Sequence, residues 1–222
     1  KVEQLKPIHH IDAIRHHQQL CTESKSFYQT QGGFPLRGIQ DISPALKRAR
    51  KHGAILQPDQ LNNISNVIGI SHKIKHKASK SNRQDFPNLF KIFDALHNFP
   101  HLVEAIKNAI GSEGEILDSA SPELRSIRRE LVKTHKALQS KLNSILQSPK
   151  HHKSIQESII TSRNGRYVIP IKQDAKGNFQ GVVHGQSASG ATLFMEPFEA
   201  VEINNRIAKL IDVEREEIHH VL

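Results

Sequence analysis

The chain of 222 residues contains no tryptophan, two tyrosines, one methionine and one cysteine. Because aromatic residues make up only 5% of the chain, we expect a hydrophobic core built from Leu, Ile and Val, which suits packed helices. The single cysteine, Cys21, excludes an intrachain disulfide and a cysteine-based zinc site. It agrees with a reducing compartment, so the predicted location is the cytoplasm.

Three further absences narrow the function. No run approaches about 18 consecutive apolar residues, and no signal peptide opens the sequence, so neither a membrane span nor export is predicted. The pattern Gly-x-x-x-x-Gly-Lys-[Ser/Thr] of ATP-hydrolysing phosphate loops is missing, so this chain alone is not expected to hydrolyse ATP. The sequence starts at Lys1 rather than Met and reaches Leu222 inside a helical pattern, which favours a piece of a longer protein.

Positive charge is abundant and unevenly placed. The chain has 31 Lys and Arg against 22 Asp and Glu, a net charge of +9, which favours a polyanionic partner, nucleic acid first. Residues 1–160 hold 24 basic and 14 acidic residues, whereas residues 161–222 hold 7 and 8. Within this second part the acids concentrate after Pro197, so the segment before it is basic.

Residues 1–156 are predicted to be helical almost throughout. Apolar residues at helical spacing indicate a first amphipathic helix: Leu5, Ile8, Ile11, Ile14 and Leu20. Ser43 is predicted to cap the next helix and Gly53 to end it. Pro58, Pro87 and Pro100 are predicted to open three more helices.

The clearest helix is predicted from Ser121 to about Gln147. An apolar residue recurs every seven positions: Leu124, Leu131, Leu138 and Ile145. This spacing gives one narrow apolar seam, as in a coiled coil or a long lever packed on one side. Lys141 falls on a seam position and weakens the pattern near its end.

From residue 157 the apolar residues recur at every second position, which predicts a small antiparallel sheet over residues 157–197. Asn164-Gly165 is a strong hairpin signal between strands 159–163 and 167–172. Since Pro170 cannot donate to a ladder, we expect the second strand to be an edge or bulged. Two further strands are predicted at 179–184 and 192–195. The helical period returns in residues 198–222, so the predicted fold is mainly α, a multi-helical core and lever bundle with a small inserted antiparallel sheet.

Basic residues cluster at three places in the predicted helices. The groups are Lys47, Arg48, Arg50 and Lys51; Lys73, Lys75, Lys77, Lys80 and Arg83; and Arg125, Arg128, Arg129, Lys133 and Lys136. Members of the third group lie away from the apolar seam and could follow phosphates. A solvated helix face is the alternative for each group.

The hairpin region is a fourth basic place, because residues 161–185 carry Asp174 as their only acid. A hairpin can enter a groove while its flanking cations meet phosphates. The predicted nucleic-acid contacts are therefore in two sets: Arg163, Arg166, Lys172 and Lys176 at the tip, and Arg125, Arg128 and Arg129 on the helix. No base-reading pattern is present, so we expect binding by shape and charge.

Two other chemistries are conceivable. His184 lies close in sequence to Ser187 and Ser189 in a Gly- and Ser-rich loop, but the nucleophile-elbow pattern is absent, and a tight strand connection explains the glycines. His72 and His76 have helical ligand spacing but no third ligand nearby, so no metal site is predicted.

Several segments, in order along the chain, resemble the MutS-II family of bacterial relatives of the mismatch-repair ATPase MutS. They are residues 38–43, 53–56, 114–128, 161–172, 181–197, 199–205 and 214–218. The resemblance implies the helical core and lever region, which in that family precedes an ATPase and a nuclease-type Smr domain. It implies ATP and Mg as cofactors of the full-length protein, and none for this chain.

The resemblance also implies partners and a role. Family members are expected to be homodimers that bind branched double-stranded DNA and restrain recombination, or that act on stalled or collided ribosomes through ribosomal RNA. A scaffold that dimerises through the seam from Leu124 to Ile145 is a further alternative. A membrane partner is not expected.

Overall fold

A computed structural model describes residue 7 and residues 9–222, which form mainly helices with one four-stranded antiparallel sheet, as predicted. The helices are α1 (Ile11–Gln31), α2 (Ser43–Ala49), α3 (Pro58–Ala78), α4 (Pro87–Asp94), α5 (Pro100–Ala109), α6 (Pro122–Gln147) and α7 (Phe198–Val221). The strands are β1 (Thr161–Arg163), β2 (Arg166–Lys172), β3 (Gly181–Gln186) and β4 (Thr192–Pro197). Two compact units result, one extending to Leu117 and the other spanning Asp118–Val221.

The first unit contains a cluster of phenylalanines in addition to the aliphatic core residues expected from composition, such as Leu56, Ile64 and Ile106. Phe27 of α1 is 0% exposed, and its ring stacks on Phe34 with centroids 4.9 Å apart. Phe86 meets the same ring edge-on at 5.4 Å, and Phe90 and Phe93 join the cluster. Aromatic residues are scarce in the chain, but here they are concentrated at one place, and edge and stacked pairs add to the burial of their surface.

Helix boundaries in this unit differ from the sequence prediction in several details. Leu5 and Ile8 lie outside the described residues, and Ile11, at the start of α1, is 59% exposed. Ser43 does not cap α2 but is its first residue, and the Asp41 carboxylate accepts its N–H at 3.0 Å. Gly53 has a left-handed φ of 73° but follows the end of α2 by several residues. As predicted, prolines open α3, α4 and α5.

In the second unit, α6 packs against α7 and the sheet. Ser121 caps α6 by accepting the Leu124 N–H at 2.9 Å, and the helix ends at Gln147, as predicted. The four seam residues are all buried. Three of them, Leu131, Leu138 and Ile145, enter a core that also contains apolar residues from the strands and α7: Ile169, Ile171, Leu193, Met195 and Ile207. The seam therefore has partners within its own chain, and a dimer through it would have to displace them. The sequence grouped this helix with residues 1–156, whereas it lies in one unit with the sheet.

The strand order is β1-β2-β4-β3, with every neighbouring pair antiparallel. The predicted hairpin is confirmed: Asn164 and Gly165 both have positive φ, 52° and 74°, as a two-residue turn requires. The prediction that β2 is an edge or bulged is wrong, since β2 lies between β1 and β4, and the irregularity is in β3 near Val183.

Pro170 is tolerated in this inner strand because of the direction in which its nitrogen points. Its carbonyl accepts the N–H of Gln156 at 2.9 Å, on the side of β2 away from β4. In an antiparallel strand the N and C=O of one residue point the same way. The proline nitrogen therefore faces the irregular segment 154–156 and not β4. Since no N–H is lost on the side of β4, the hydrogen bonds between β2 and β4 keep all their donors.

Candidate nucleic-acid surface

The exposed side of α6 carries a continuous row of cations. Its members, which we call the α6 stripe, are Arg125, Arg129, Lys133 and Lys136, and all four are exposed. None of them forms an ion pair with any residue that the structure describes. At 1.5 Å rise per residue the stripe is roughly 16 Å long, enough to follow several phosphates of a nucleic-acid strand.

Arg128, predicted with this group, is placed differently. Its guanidinium donates from Nε to Glu214 of α7 at 2.7 Å and from Nη1 to Asp118 at 2.6 Å, and its side chain is 27% exposed. Burial opposes the charge, but the hydrogen bonds and the two carboxylates outweigh it, so the pKa of Arg128 is raised. This arginine joins the two ends of the unit, and its charge is already compensated.

Acidic residues of α7 are directed at α6, which explains why the stripe is free of them. Polar pairs join the two helices along their length: Ser121 with Glu217, Arg128 with Glu214, Glu130 with Arg206, and Lys141 with Glu199. Early residues of one helix meet late residues of the other, so the helices run antiparallel. The acidic helix therefore stiffens the pair without facing the α6 stripe.

At the sheet tip, Arg163 lies with its guanidinium carbon 3.9 Å from the centre of the Phe194 ring. The same guanidinium donates to the Ser162 carbonyl at 2.8 Å, and the residue is exposed. Lys176 is exposed and Lys172 half-buried, and neither has an ion pair among the described residues. Three of the four predicted tip cations can thus reach a ligand.

Arg166 belongs instead to a buried polar network. Its guanidinium donates to Glu196 Oε1 at 3.3 Å, and His184 Nε2 lies 2.6 Å from Oε2 of the same carboxylate. Glu196 is only 2% exposed and also accepts from the Asn204 amide at 2.8 Å. A buried carboxylate requires such partners, so Arg166 stabilises the sheet and contributes little free charge.

The sequence reasoning missed Glu196 and Asn204. The signal for Glu196 was present: one acid stands in an otherwise apolar strand, next to Met195 and Pro197. Nothing local marked Asn204, since the adjacent Asn205 is of the same type and is exposed.

The alternative chemistries find no matching geometry. His184 is engaged with Glu196, while Ser187 and Ser189 contact each other at 3.3 Å, and the Ser187 hydroxyl accepts the Thr192 N–H. The serines thus hold a turn. No group of three metal-binding side chains occurs in the described part of the chain. Within the same residues, every helix is too short or too polar to cross a bilayer.

The basic group on α3 also has structural roles. Lys77 donates to the carbonyls of Gly33 and Gly32 at 2.6 and 3.2 Å, beyond the end of α1. Lys75 donates to the Leu96 carbonyl at 2.7 Å, just after α4. Cations at helix C-termini satisfy orphan carbonyls and complement the helix dipole. These two lysines are therefore weaker candidates for phosphate contacts than the α6 stripe.

Comparison with known proteins gives a consistent set of relatives. No protein-family model matches the chain. It is 39% identical over 224 residues to Endonuclease MutS2 of Geobacillus sp. (strain WCH70), and 37% identical over 223 residues to that of Alkaliphilus oremlandii, with 100% of this chain covered in both. Endonuclease MutS2 of Ruminiclostridium cellulolyticum is 42% identical over 86% of this chain. The chain spans 28% of the length of the first two relatives and 24% of the third.

Proposed function

The homologues of this chain are MutS2 proteins, and on that premise we propose that it is a non-catalytic core and lever segment that contacts the backbone of branched DNA. The α6 stripe and the tip cations Arg163, Lys172 and Lys176 form the contact surface. ATP and Mg act in the longer protein, which is a homodimer, and the lever couples the nucleotide state to DNA binding. In this way the protein restrains homologous recombination.

One observation carries the DNA-contact proposal: four exposed cations lie in a row on α6 without acidic partners among the described residues, while Glu199 and Glu214 of α7 are paired with other cations of α6. Cations with a structural role in this chain have partners within the fold, carboxylates for Arg128 and Arg166 and backbone carbonyls for Lys75 and Lys77. Unpaired cations in a row have no such role in the fold, and phosphates are the ligands that they fit.

The coupling rests on how α7 is connected. This helix is joined to α6 along its length, and its Asn204 side chain bonds to the backbone of Tyr167 in β2. A shift of α7 therefore acts on the stripe-bearing helix and on the hairpin strand together. Rigid elements linked at several points transmit displacement better than flexible loops.

The test compares two fourfold variants of α6 by fluorescence anisotropy with a labelled four-way junction. The first variant replaces the α6 stripe with alanine (R125A/R129A/K133A/K136A). The second replaces uncharged exposed residues of the same helix (Q139A/S140A/N143A/Q147A). The stripe variant should weaken binding and lower the salt slope by roughly 0.9 for each phosphate that the protein no longer neutralises, while the uncharged variant should match the wild type.

Equal junction affinity and equal salt slope in the wild type and the stripe variant would contradict the DNA-contact surface. The ribosomal alternative is tested with the same proteins and a structured ribosomal RNA probe. Binding that favours this RNA over the junction at matched salt would replace DNA with RNA as the target.

A further inference from the structure

We propose that the paired side chains of Arg163 and Phe194 form a stacking site for an unpaired nucleobase. This inference deepens the proposed nucleic-acid contact and rests on it. Its consequence is that the sheet tip distinguishes nucleic acid with unpaired nucleotides from continuous duplex, although no side chain reads base edges.

The sheet register places these two residues on the same face. Arg163 pairs with Arg166, and Phe194 pairs with Pro170. Since side chains alternate between faces along a strand, all four point away from the core that contains Ile169. Arg163 therefore crosses this outer face to cover the Phe194 ring, and it does so from the end of β1, next to the turn.

The arginine is held in a defined position. Its guanidinium contacts the ring at 3.9 Å and donates to the Ser162 carbonyl at 2.8 Å. The turn beside it is fixed as well, because the Asn164 amide donates to the His184 carbonyl of β3 at 3.3 Å. A planar cation that is already oriented loses little side-chain entropy when a ligand stacks on it.

The space around the pair is open. Arg163 is exposed, so the guanidinium face turned away from Phe194 is accessible. On the β3 side, Gly185 stands opposite Phe194, and a Cβ at this glycine would meet nothing within 4 Å. A flat ligand can therefore reach the outer face of the guanidinium without displacing a neighbouring side chain.

The planar face of the guanidinium suits a base rather than a carboxylate as its ligand. A carboxylate binds at the N–H edge of a guanidinium, where Nη1 also donates to Ser162. The face is a separate surface, and nucleobases stack on arginine planes and aromatic rings whatever their sequence. Bases inside a duplex present no free face, so an unpaired nucleotide is required.

The experiment measures the affinity of the 222-residue chain for two labelled DNA probes, a continuous duplex and the same duplex with a few unpaired nucleotides in one strand. Wild type should prefer the unpaired probe by at least about fivefold, the lower bound for stacking a base on an aromatic side chain. Arg163→Lys keeps the charge but removes the planar face, and Phe194→Leu removes the ring. Both should bring the ratio close to one. Phe194→Leu, which changes no residue of the proposed phosphate contacts, should leave duplex affinity nearly unchanged.

A matched control is Arg125→Lys, the same exchange on the α6 stripe, which should keep the preference of the wild type. A 2-aminopurine at the unpaired position should change its fluorescence with wild type and not with Arg163→Lys. If Phe194→Leu lowers the melting temperature, its binding data are set aside and the Arg163→Lys result alone tests the stacking site.

The outcomes are distinguishable. Salt-dependent binding of both probes with equal affinity overturns the stacking site and leaves the proposed DNA contact intact. A preference retained in Arg163→Lys also overturns it, as does displacement of the unpaired probe by an acidic peptide more readily than by a thymidine oligonucleotide. Failure to bind either probe removes the proposed function and this inference together.

Discussion

The side chain of Asn204 in α7 hydrogen-bonds both backbone groups of Tyr167 in β2, donating to its carbonyl and accepting from its N–H, each at 3.2 Å. Continuing the register of β2 with β4 places Pro197 opposite Tyr167. Since proline has no N–H, the ladder cannot satisfy the Tyr167 carbonyl at this point. The Asn204 amide supplies the N–H donor that Pro197 lacks.

Replacing Asn204 with alanine should therefore destabilise the second unit. The change leaves the Tyr167 backbone and one bond of buried Glu196 unsatisfied, which costs about 1–3 kcal/mol. The free energy of unfolding from urea titration measures it. Asn205→Ala is the control, because Asn205 is exposed on the same helix and should stay within about 0.5 kcal/mol of wild type. Equal losses of stability in the two variants would show that the bridge is not the cause.

Arg128 and Arg129 are neighbours with different expected roles. Arg128→Ala removes bonds to Asp118 and Glu214 and should cost about 1–2 kcal/mol of unfolding free energy. Arg129→Ala should leave stability almost unchanged and weaken junction binding, since Arg129 is exposed and has no ion pair within the described residues. Urea titration and anisotropy on both variants separate the two roles.

The raised pKa of Arg128 also predicts how the stability loss of Arg128→Ala depends on pH. Because its pKa is raised in the folded chain, the stabilisation is fully present below the ordinary arginine range and is lost only as pH rises through the higher folded value. The Arg128→Ala deficit should hence stay constant from neutral to mildly alkaline solution. A deficit that shrinks there would contradict the assignment.

The sequence predicted elements whose cause is local. Helix α6 was placed from Ser121 to Gln147 because its seven-residue repeat lies within the helix itself, and the turn at Asn164 was found because two adjacent residues specify it. The phenylalanine core around Phe27 was missed, since its members come from distant parts of the chain. The helical spacing of Phe86, Phe90 and Phe93 marks an apolar face but does not reveal what packs on it.

For the candidate site residues, too, the sequence predicted what local spacing decides and missed what depends on residues distant in sequence. Charge pattern identified Arg128 and Arg166 as cations but could not reveal their partners, Glu214 and Glu196, which lie 86 and 30 residues away in sequence. Exposure of Arg125 and Arg129 was predictable, because helical spacing alone places them away from the apolar seam.

The ion pair of Lys141 and Glu199 makes stability depend on pH in the opposite direction to Arg128, because its contribution is lost as pH falls. The Lys141 ammonium, through a hydrogen bond and its charge, lowers the pKa of Glu199. A lowered folded pKa adds stability above the ordinary carboxyl range, and this stability is lost as pH falls through the folded value. Both side chains are about half exposed, 41% and 58%, so solvent limits the effect to below about 1 kcal/mol.

Glu199→Gln should accordingly lower the melting temperature slightly at neutral pH and converge with wild type in acid. Added salt at neutral pH should also narrow the gap. Glu202→Gln, an exposed acid on the same helix without an ion pair in the described chain, serves as the control. A gap that persists unchanged in acid would exclude the Lys141 contact as its source.

At the sheet tip, Arg166 is expected to stabilise the fold, whereas Lys176 is expected to bind DNA. Its partner Glu196 is buried, so Arg166→Ala leaves a carboxylate with His184 and Asn204 as remaining partners and should cost about 1–3 kcal/mol of unfolding free energy. Junction affinity of the folded variant should change little, because the arginine charge was already compensated. Lys176→Ala should do the reverse, weakening binding with stability kept. If Arg166→Ala reduces affinity as much as Lys176→Ala at unchanged stability, Arg166 contacts the DNA directly and the network is not its main role.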